Sequence, residues 1–210
     1  MRVVLASASP ARKAVLRAAG LDPLVEVADV DEDALLAAMP QASPAEKVTQ
    51  LAAAKATTVA RRIGGAHPDA VVIGCDSMLD VGGELVGKPG DPETARRRWK
   101  AMAGGTGDLV TGHAVLRLAE SEIDRVAEGH AVTTVSFADL SEAELEAYLA
   151  TGEPLAVAGA FTLDGKGGWF VEGIDGDPSN VIGISLPLVR RLLAGVGVQV
   201  TDLWEPAAPM

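Results

Sequence analysis

Apolar residues recur along the chain in patterns that predict strands separated by helices. Runs rich in valine and leucine, either continuous or alternating with polar residues, are bounded by turn-forming or charged residues and are typical of β-strands. They predict strands over residues 2–6, 23–29, 70–76, 108–119, 130–139 and 198–203. Residues 77–89 predict a hairpin that turns at Gly82 and Gly83.

The predicted helices begin at side chains that can cap them. Ser9 precedes a proline, a pair typical of an N-cap and a first helical position. Ser43 with Glu46, and Ser141 with Glu144, have the spacing of a capping box. The predicted helices, one of them a short helix behind an acidic loop, lie within residues 9–19, 29–39, 43–63, 91–102, 141–150 and 185–195.

The alternation of strands and helices is typical of α/β proteins. Hydrophobic residues make up 48% of the 210-residue chain and aromatic residues only 3%, so the core is built from small and aliphatic side chains. A glycine-rich segment over 159–180 predicts a strand with loops. We expect an α/β fold with a mixed, twisted sheet flanked by helices, in a single domain over 1–210 with two lobes around a central cleft.

The charge of the chain excludes several classes of partner. There are 18 Lys plus Arg against 29 Asp plus Glu, a net charge of -11. Such an acidic surface repels nucleic acid and anionic membranes, and no apolar stretch reaches the roughly 20 residues that span a bilayer. The single cysteine, Cys75, excludes an internal disulfide and fits the reducing cytoplasm, where we expect the protein.

Residues 5–20 predict a strand that turns through small hydroxyl residues into a helix. Free N–H groups and the positive end of the helix dipole would meet beside Ser7 and Ser9. Arg12 and Lys13 follow in the first helical turn, where cations are unfavourable unless an anion offsets them. The corner is therefore a candidate phosphate site, with an ordinary capped helix and solvated cations as the alternative.

Asp76 follows the apolar run VVIGC and is the strongest catalytic candidate. A carboxylate at the end of a buried strand is costly unless it is paired, binds metal or takes part in catalysis. We interpret it as a general base or metal ligand, with a turn-capping aspartate as the alternative. Cys75 alternates to the opposite face and is expected in the core.

Two further segments have charged side chains of interest. The acidic loop that contains Glu32 has oxygen ligands suited to Mg²⁺ or Mn²⁺, although a solvated loop has the same composition. Residues 82–88 match the spacing of a phosphate-binding P-loop, but Pro89 stands where that motif needs Ser or Thr. Because the P-loop motif is incomplete, Lys88 has two possible interpretations, a point charge that binds a phosphate or a solvated surface lysine.

The order of these motifs resembles the Maf family of nucleoside triphosphate pyrophosphatases, whose fold is of the Maf/ITPase type. The segments that carry the resemblance are SASPAR (7–12), DVDEDA (29–34), AKA (54–56), CDS (75–77), GKP (87–89), DGKGG (164–168) and SNVIGISLP (179–187). They extend over nearly the whole chain, and their combination is far more specific than any one of them.

The resemblance implies a role for eight residues. They would form a phosphate loop, an acidic-loop metal ligand, two phosphate-binding lysines, a catalytic and metal-binding carboxylate, and a residue near the base. In this order they are Ser7, Ser9 and Arg12; Glu32; Lys55 and Lys88; Asp76; and Asp164.

Three positions depart from the family pattern. Ala11 replaces the first of two common arginines, Ser77 replaces a usual threonine, and Asp164 replaces a glutamine of many members. The first departure concerns phosphate affinity and the third concerns base preference. The pattern most resembles actinobacterial members, and it leaves the base open between pyrimidine, 7-methylguanosine and other triphosphates.

The implied reaction is the hydrolysis of a nucleoside triphosphate to its monophosphate and pyrophosphate. Water would attack the α-phosphorus with the help of Mg²⁺ or Mn²⁺ on Asp76 and Glu32. A homodimer is implied in the same way. The alternative from another class is a non-catalytic nucleotide-binding regulator, because the family is associated with septum formation. A phosphate-monoester hydrolase would release orthophosphate instead.

Overall fold

The computed structural model describes residues 1–204, so positions 205–210 of the predicted domain lie outside the described residues. Seven strands form one sheet. They are β1 (Arg2–Leu5), β2 (Leu24–Val25), β3 (Ala70–Val81), β4 (Glu84–Val86), β5 (Thr106–Ala119), β6 (Glu122–Phe137) and β7 (Val171–Asp175).

Helices flank the sheet, and three of them begin at the predicted caps Ser9, Ser43 and Ser141. They are α1 (Pro10–Ala18), α2 (Glu32–Ala37), α3 (Pro44–Ile63), α4 (Pro92–Met102), α5 (Glu142–Ala150), α6 (Pro178–Val181) and α7 (Leu186–Gly195). Short 3₁₀ helices cover Glu153–Ala156, Ala158–Ala160, Lys166–Phe170 and Val200–Leu203. Both predicted capping boxes form, at Ser43 and at Ser141.

The sheet is mixed, as predicted. Its strand order is β2-β1-β3-β5-β6-β7, and β4 pairs with β3. β1 runs parallel to β2 and β3, whereas all other pairs are antiparallel. The predicted hairpin forms between β3 and β4 around Gly82 and Gly83.

β3 is longer than the sequence predicts. The strand expected to end at Asp76 continues to Val81, so Asp76 lies in the middle of the strand. The antiparallel ladder with β5 runs from Ala70 to Asp80 and pairs Asp76 with Gly112. The backbone pairing therefore keeps the polar residues after Asp76 in an extended conformation.

The predicted last strand over 198–203 is wrong, because Val200–Leu203 forms a 3₁₀ helix. Val198 is buried, and Val200 and Leu203 pack against the same apolar cluster as α7. These contacts bury the apolar side chains without a strand partner. A short apolar run in the sequence does not distinguish a buried strand from a short buried helix. The strand expected over 23–29 has only two residues, and β6 begins at Glu122 instead of residue 130.

The two faces of β3 pack against different helices. Val71, Ile73 and Cys75 lie in a cluster with residues of α1 and α7, which confirms the prediction that Cys75 is a core residue. Val72, on the opposite face, lies in a cluster with Ala52 and other residues of α3. The position of Asp76 in the alternation places its side chain on the α3 face.

A second apolar region lies at the other end of the central strands. Leu79 of β3 packs there in a cluster with Trp99. The rings of Phe137 and Tyr148 meet Trp99 edge-on, with ring centroids 5.7 and 5.8 Å away. Residues 76–78 therefore lie between two packed regions of one continuous sheet.

Among residues 1–204, none of the helices combines the length and the apolar character needed to cross a bilayer.

Candidate active site

Asp76 is a buried carboxylate with two charged neighbours. The residue is only 6% exposed. The ammonium of Lys55, on α3, lies 2.5 Å from Oδ1 of Asp76 and 2.8 Å from Oε1 of Glu32, on α2. One lysine therefore bridges two carboxylates that come from different elements, and the structure brings together three of the predicted site residues.

Burial and charge act in opposite directions on Asp76. Burial raises the pKa of its carboxyl above the ordinary value, and the Lys55 ammonium and the Arg12 guanidinium offset part of that rise. The nearby Glu32 carboxylate adds to the rise. A carboxylate with a raised pKa accepts a proton more readily than an exposed one, which suits a general base.

Two glycines allow α3 to lie close enough to place Lys55 beside Asp76. A Cβ atom on Gly112, the cross-strand partner of Asp76, would lie 2.1 Å from the carbonyl oxygen of Val48. A Cβ atom on Gly74 would lie 2.3 Å from the carbonyl oxygen of Ala52. Any larger residue at these positions would push α3 away from the sheet.

The serine corner is connected to β3 through Arg12. Ser9 caps α1 by accepting the N–H of Arg12, as predicted, and Ser7 is buried. The Nη1 atom of Arg12 donates to Oγ of Ser7 and to the carbonyl oxygen of Cys75, both at 2.9 Å. The corner and Asp76 are thus separated by a single arginine side chain.

A partly buried chain of polar side chains continues from Arg12 to β5. Its Nη2 atom donates to Oγ of Ser77 at 2.9 Å, and Ser77 in turn contacts Oγ1 of Thr111 at 3.0 Å. His113 is fully buried, with Nδ1 3.1 Å from the carbonyl oxygen of Thr111, and its Nε2 accepts the N–H of Ser185 at 2.8 Å. Burial lowers the pKa of His113 to about 4, so the imidazole is neutral near pH 7.

Asp76 and Glu32 fit a hard divalent cation. Their oxygens converge on one position, now filled by the Lys55 ammonium, and Glu32 remains about half exposed. Across residues 1–204 no group of three or more His, Cys, Asp or Glu side chains meets to hold a metal. One or two carboxylates are what Mg²⁺ takes from a protein when water and phosphate supply its other ligands.

The structure does not join the other two predicted residues to this centre. Lys88 is exposed in the loop after β4, and within the described chain it makes no hydrogen bond or ion pair. Asp164 is exposed in the glycine-rich loop before the third 3₁₀ helix. Both loops place their side chains in solvent.

Glu153 organises the loop that contains Asp164. Its carboxylate accepts the hydroxyl of Thr162 at 2.6 Å and the N–H groups of Lys166 and Gly167 at 3.1 and 2.9 Å. The hydroxyl of Tyr148 donates to the same carboxylate at 3.1 Å. The loop around Asp164 is therefore held at both ends by one side chain.

Sequence analysis missed Thr111, His113 and Glu153. Thr111 and His113 lie in a strand whose apolar pattern hides them, and their partners are distant in the chain. Glu153 follows a helix end and precedes a proline, which is an ordinary position for an acidic residue. Strand pairing, which the sequence does not show, creates the environments of Thr111 and His113. The environment of Glu153 comes instead from the contact of residues 162–167 with the segment that follows α5.

Comparison with known proteins finds relatives over nearly the whole chain. The family model described as Maf-like protein matches residues 2–196. Relatives named nucleoside triphosphate pyrophosphatase occur in Saccharopolyspora erythraea and Nocardia farcinica, each 60% identical over 207 residues and 98% of both chains. The protein of the same name in Rhodococcus jostii is 61% identical and covers 96% of this chain and 95% of its own.

A solved dITP/XTP pyrophosphatase from Mycobacterium abscessus covers 67% of this chain and 74% of its own, with 16% identity. Its TM-score of 0.31 is too low to compare the two folds. The family match and the relatives at 60% identity are decisive, and this chain belongs to the Maf family.

Proposed function

We propose that the protein hydrolyses nucleoside triphosphates to the monophosphate and pyrophosphate. The observation that supports it most is the buried Asp76 carboxylate, which contacts Lys55 and lies one arginine away from the serine corner. The relatives named nucleoside triphosphate pyrophosphatase match nearly the full chain. A carboxylate, lysine side chains and a helix N-terminus are among the groups that enzymes use to position and stabilise phosphates during phosphoryl transfer.

The phosphates would lie along the serine corner. The start of α1 offers a helix dipole beside Ser7 and Ser9. Lys55, and Lys88 from the exposed loop after β4, would supply positive charge to the terminal phosphates. The flexible stem of Lys55 lets its ammonium exchange a carboxylate for a phosphate oxygen. The sequence also predicts Arg12 as a phosphate partner, but its hydrogen bonds to protein atoms favour a positioning role.

Asp76 would accept the proton of the attacking water. Lys55 contacts Oδ1, which leaves Oδ2 for the water, and burial favours the protonated product of this step. Asp76 and Glu32 would hold a divalent cation, Mg²⁺ or Mn²⁺. A bound divalent cation neutralises charge on the phosphate oxygens and the leaving pyrophosphate.

Asp164 would lie near the nucleobase of the substrate, at the tip of the loop that Glu153 holds. The continuous sheet between two packed regions supports the prediction of one domain with two lobes around a cleft. A homodimer and a cytoplasmic location stay predictions.

The test is a product analysis of the purified protein with canonical and modified triphosphates, with Mg²⁺ or Mn²⁺ and with a chelator. We expect pyrophosphate and the monophosphate in equal amounts, and only with the metal. Orthophosphate as the first product would indicate a monoesterase or a stepwise phosphatase. Triphosphate binding without turnover across the panel would favour the non-catalytic regulator.

A further inference from the structure

Arg12 satisfies most of its hydrogen-bonding capacity inside the protein. A guanidinium has five N–H donors. Four of them donate to the carbonyl oxygens of Gly183 and Cys75 and to the hydroxyls of Ser7 and Ser77, at 2.8 to 2.9 Å. The side chain has one N–H left within the described chain.

These contacts also explain how a cation is accommodated at a helix start. A positive charge in the first turn of α1 is unfavourable because of the helix dipole. The carbonyl oxygens of Cys75 and Gly183 carry partial negative charge and contact the guanidinium directly. Arg12 therefore needs no external anion to offset its charge, because the protein's own carbonyl oxygens do so.

Two of the four contacts lie on either side of Asp76. Cys75 precedes it and offers its carbonyl oxygen, and Ser77 follows it and offers its hydroxyl. Because β3 is extended, fixing these two neighbours fixes the backbone that carries the Asp76 carboxylate. The guanidinium reaches the strand from the α1 side, opposite the face of Lys55.

The other two contacts connect this strand segment to the rest of the site. Ser7 belongs to the serine corner, and Gly183 lies in the loop between α6 and α7. Gly183 has a φ of +111°, and a Cβ atom there would lie 3.1 Å from Nε of Arg12. A glycine at 183 leaves room for the guanidinium, and Arg12 thus joins three separate segments.

We propose that Arg12 is a positioning residue that holds Asp76 in place relative to the serine corner, and that it is not a phosphate ligand. This inference rests on the proposed function, in which Asp76 is the general base that accepts the proton of the attacking water. It predicts an effect on turnover and little effect on substrate binding. A residue that bound the phosphates of the ground-state substrate would instead raise KM and Kd when it is replaced, and a lysine, which keeps the positive charge, would restore part of the affinity.

The experiment compares Arg12→Gln and Arg12→Lys with the wild type. The measurements are kcat and KM for the best triphosphate, and Kd for its non-hydrolysable α,β-methylene analogue, all per folded protein. Arg17→Gln is the matched control, because Arg17 lies on the same helix and pairs with Asp22 at the surface. This control should behave as the wild type.

We expect kcat to fall about 100-fold in both Arg12 variants, since small displacements of a reacting group cost this much. KM and Kd should stay within about threefold of the wild-type values, and kcat should be no higher in Arg12→Lys than in Arg12→Gln. If KM and Kd rise about tenfold or more with kcat retained, and lysine restores them, the inference is wrong although the function stands. A wild type that releases no pyrophosphate would instead overturn the proposed function, and this inference with it.

Ser77→Ala is the second variant, and it serves if the Arg12 variants do not fold. It removes one of the two contacts beside Asp76 and leaves the charge in place. We expect a smaller loss of kcat at constant KM, and with Arg12→Gln the two losses should not add. Fully additive losses, or an unchanged kcat in Ser77→Ala, would contradict the inference.

Discussion

The ammonium of Lys55 lies 2.5 Å from Oδ1 of Asp76, although the two residues stand on different elements 21 positions apart. Neither side chain is much exposed, at 13% for Lys55 and 9% for Asp76. Breaking one side of a buried pair leaves an unpaired charge, which costs far more than the pair contributes.

Lys55→Met should destabilise the protein at pH 7 by about 3 kcal/mol, because Asp76 and Glu32 lose their common cation. The loss should be smaller at low pH, where a protonated Asp76 needs no cation. Mn²⁺ should recover part of the stability, since a divalent ion can replace the ammonium between the carboxylates. Urea unfolding with and without Mn²⁺ measures each effect.

Lys47→Met is the control, because Lys47 lies on the same helix and makes no ion pair within residues 1–204. Equal stability losses in both variants would show that the pair with Asp76 does not matter.

Glu32→Gln should weaken the response to the metal about tenfold or more, since substitutions around a metal ligand set cost this much. The rate should recover when Mg²⁺ is raised, because Asp76 remains. A titration of the rate with Mg²⁺ gives the shift. Asp33→Asn, at the neighbouring exposed position on α2, should leave the titration unchanged. A Glu32 variant with a wild-type titration would remove Glu32 from the metal site.

Gly112→Ala should cost about 2 kcal/mol of stability, because the new methyl group would lie 2.1 Å from the Val48 carbonyl oxygen. It should also lower kcat, since α3 must move and carries Lys55 with it. Gly173→Ala, on β7 with open space around it, is the control and should be neutral. Thermal unfolding and turnover would be measured together; equal effects at both glycines would refute the close approach.

His113 should make the protein less stable as pH falls. Its pKa is lowered from 6.5 to about 4, so the unfolded chain binds a proton in this window whereas the folded protein does not. The loss between pH 7 and pH 5 should be about 2 kcal/mol. Urea unfolding at both values should show less pH dependence in His113→Gln, whereas exposed His130→Gln should keep that of the wild type. Identical slopes in all three would contradict a neutral buried imidazole.

The sequence predicted the local features of the fold well, because they depend on neighbouring residues. The caps at Ser9, Ser43 and Ser141 formed as expected, and so did the hairpin at Gly82 and Gly83. The sequence predicts that β3 ends at Asp76, because Asp76 and Ser77 are residue types that often end strands, whereas the strand continues to Val81. The pairing with β5, which is distant in the chain, keeps them extended.

The contacts of the candidate site also join residues that are distant in the chain, and the sequence does not show them. Asp76 and Lys55 stand out as residues, but only the approach of α3 over Gly74 and Gly112 shows that they meet. The cation in the first turn of α1 pointed to an anion, whereas the structure shows carbonyl oxygens around Arg12. Every residue has a carbonyl oxygen, so the sequence does not show which carbonyl groups will contact Arg12, and these hydrogen bonds could not be predicted.

In the proposed reaction the Asp76 carboxylate activates water for attack on the α-phosphorus. The most direct measurement is pyrophosphate release by Asp76→Asn at saturating triphosphate and Mg²⁺, next to the wild type and to the exposed β5 control Asp108→Asn. We predict a kcat lower by about 10² to 10³ in a protein that stays folded, because Lys55 keeps its ion pair with Glu32, and a wild-type rate in the control. A folded Asp76→Asn that turned over at the wild-type rate would contradict the claim.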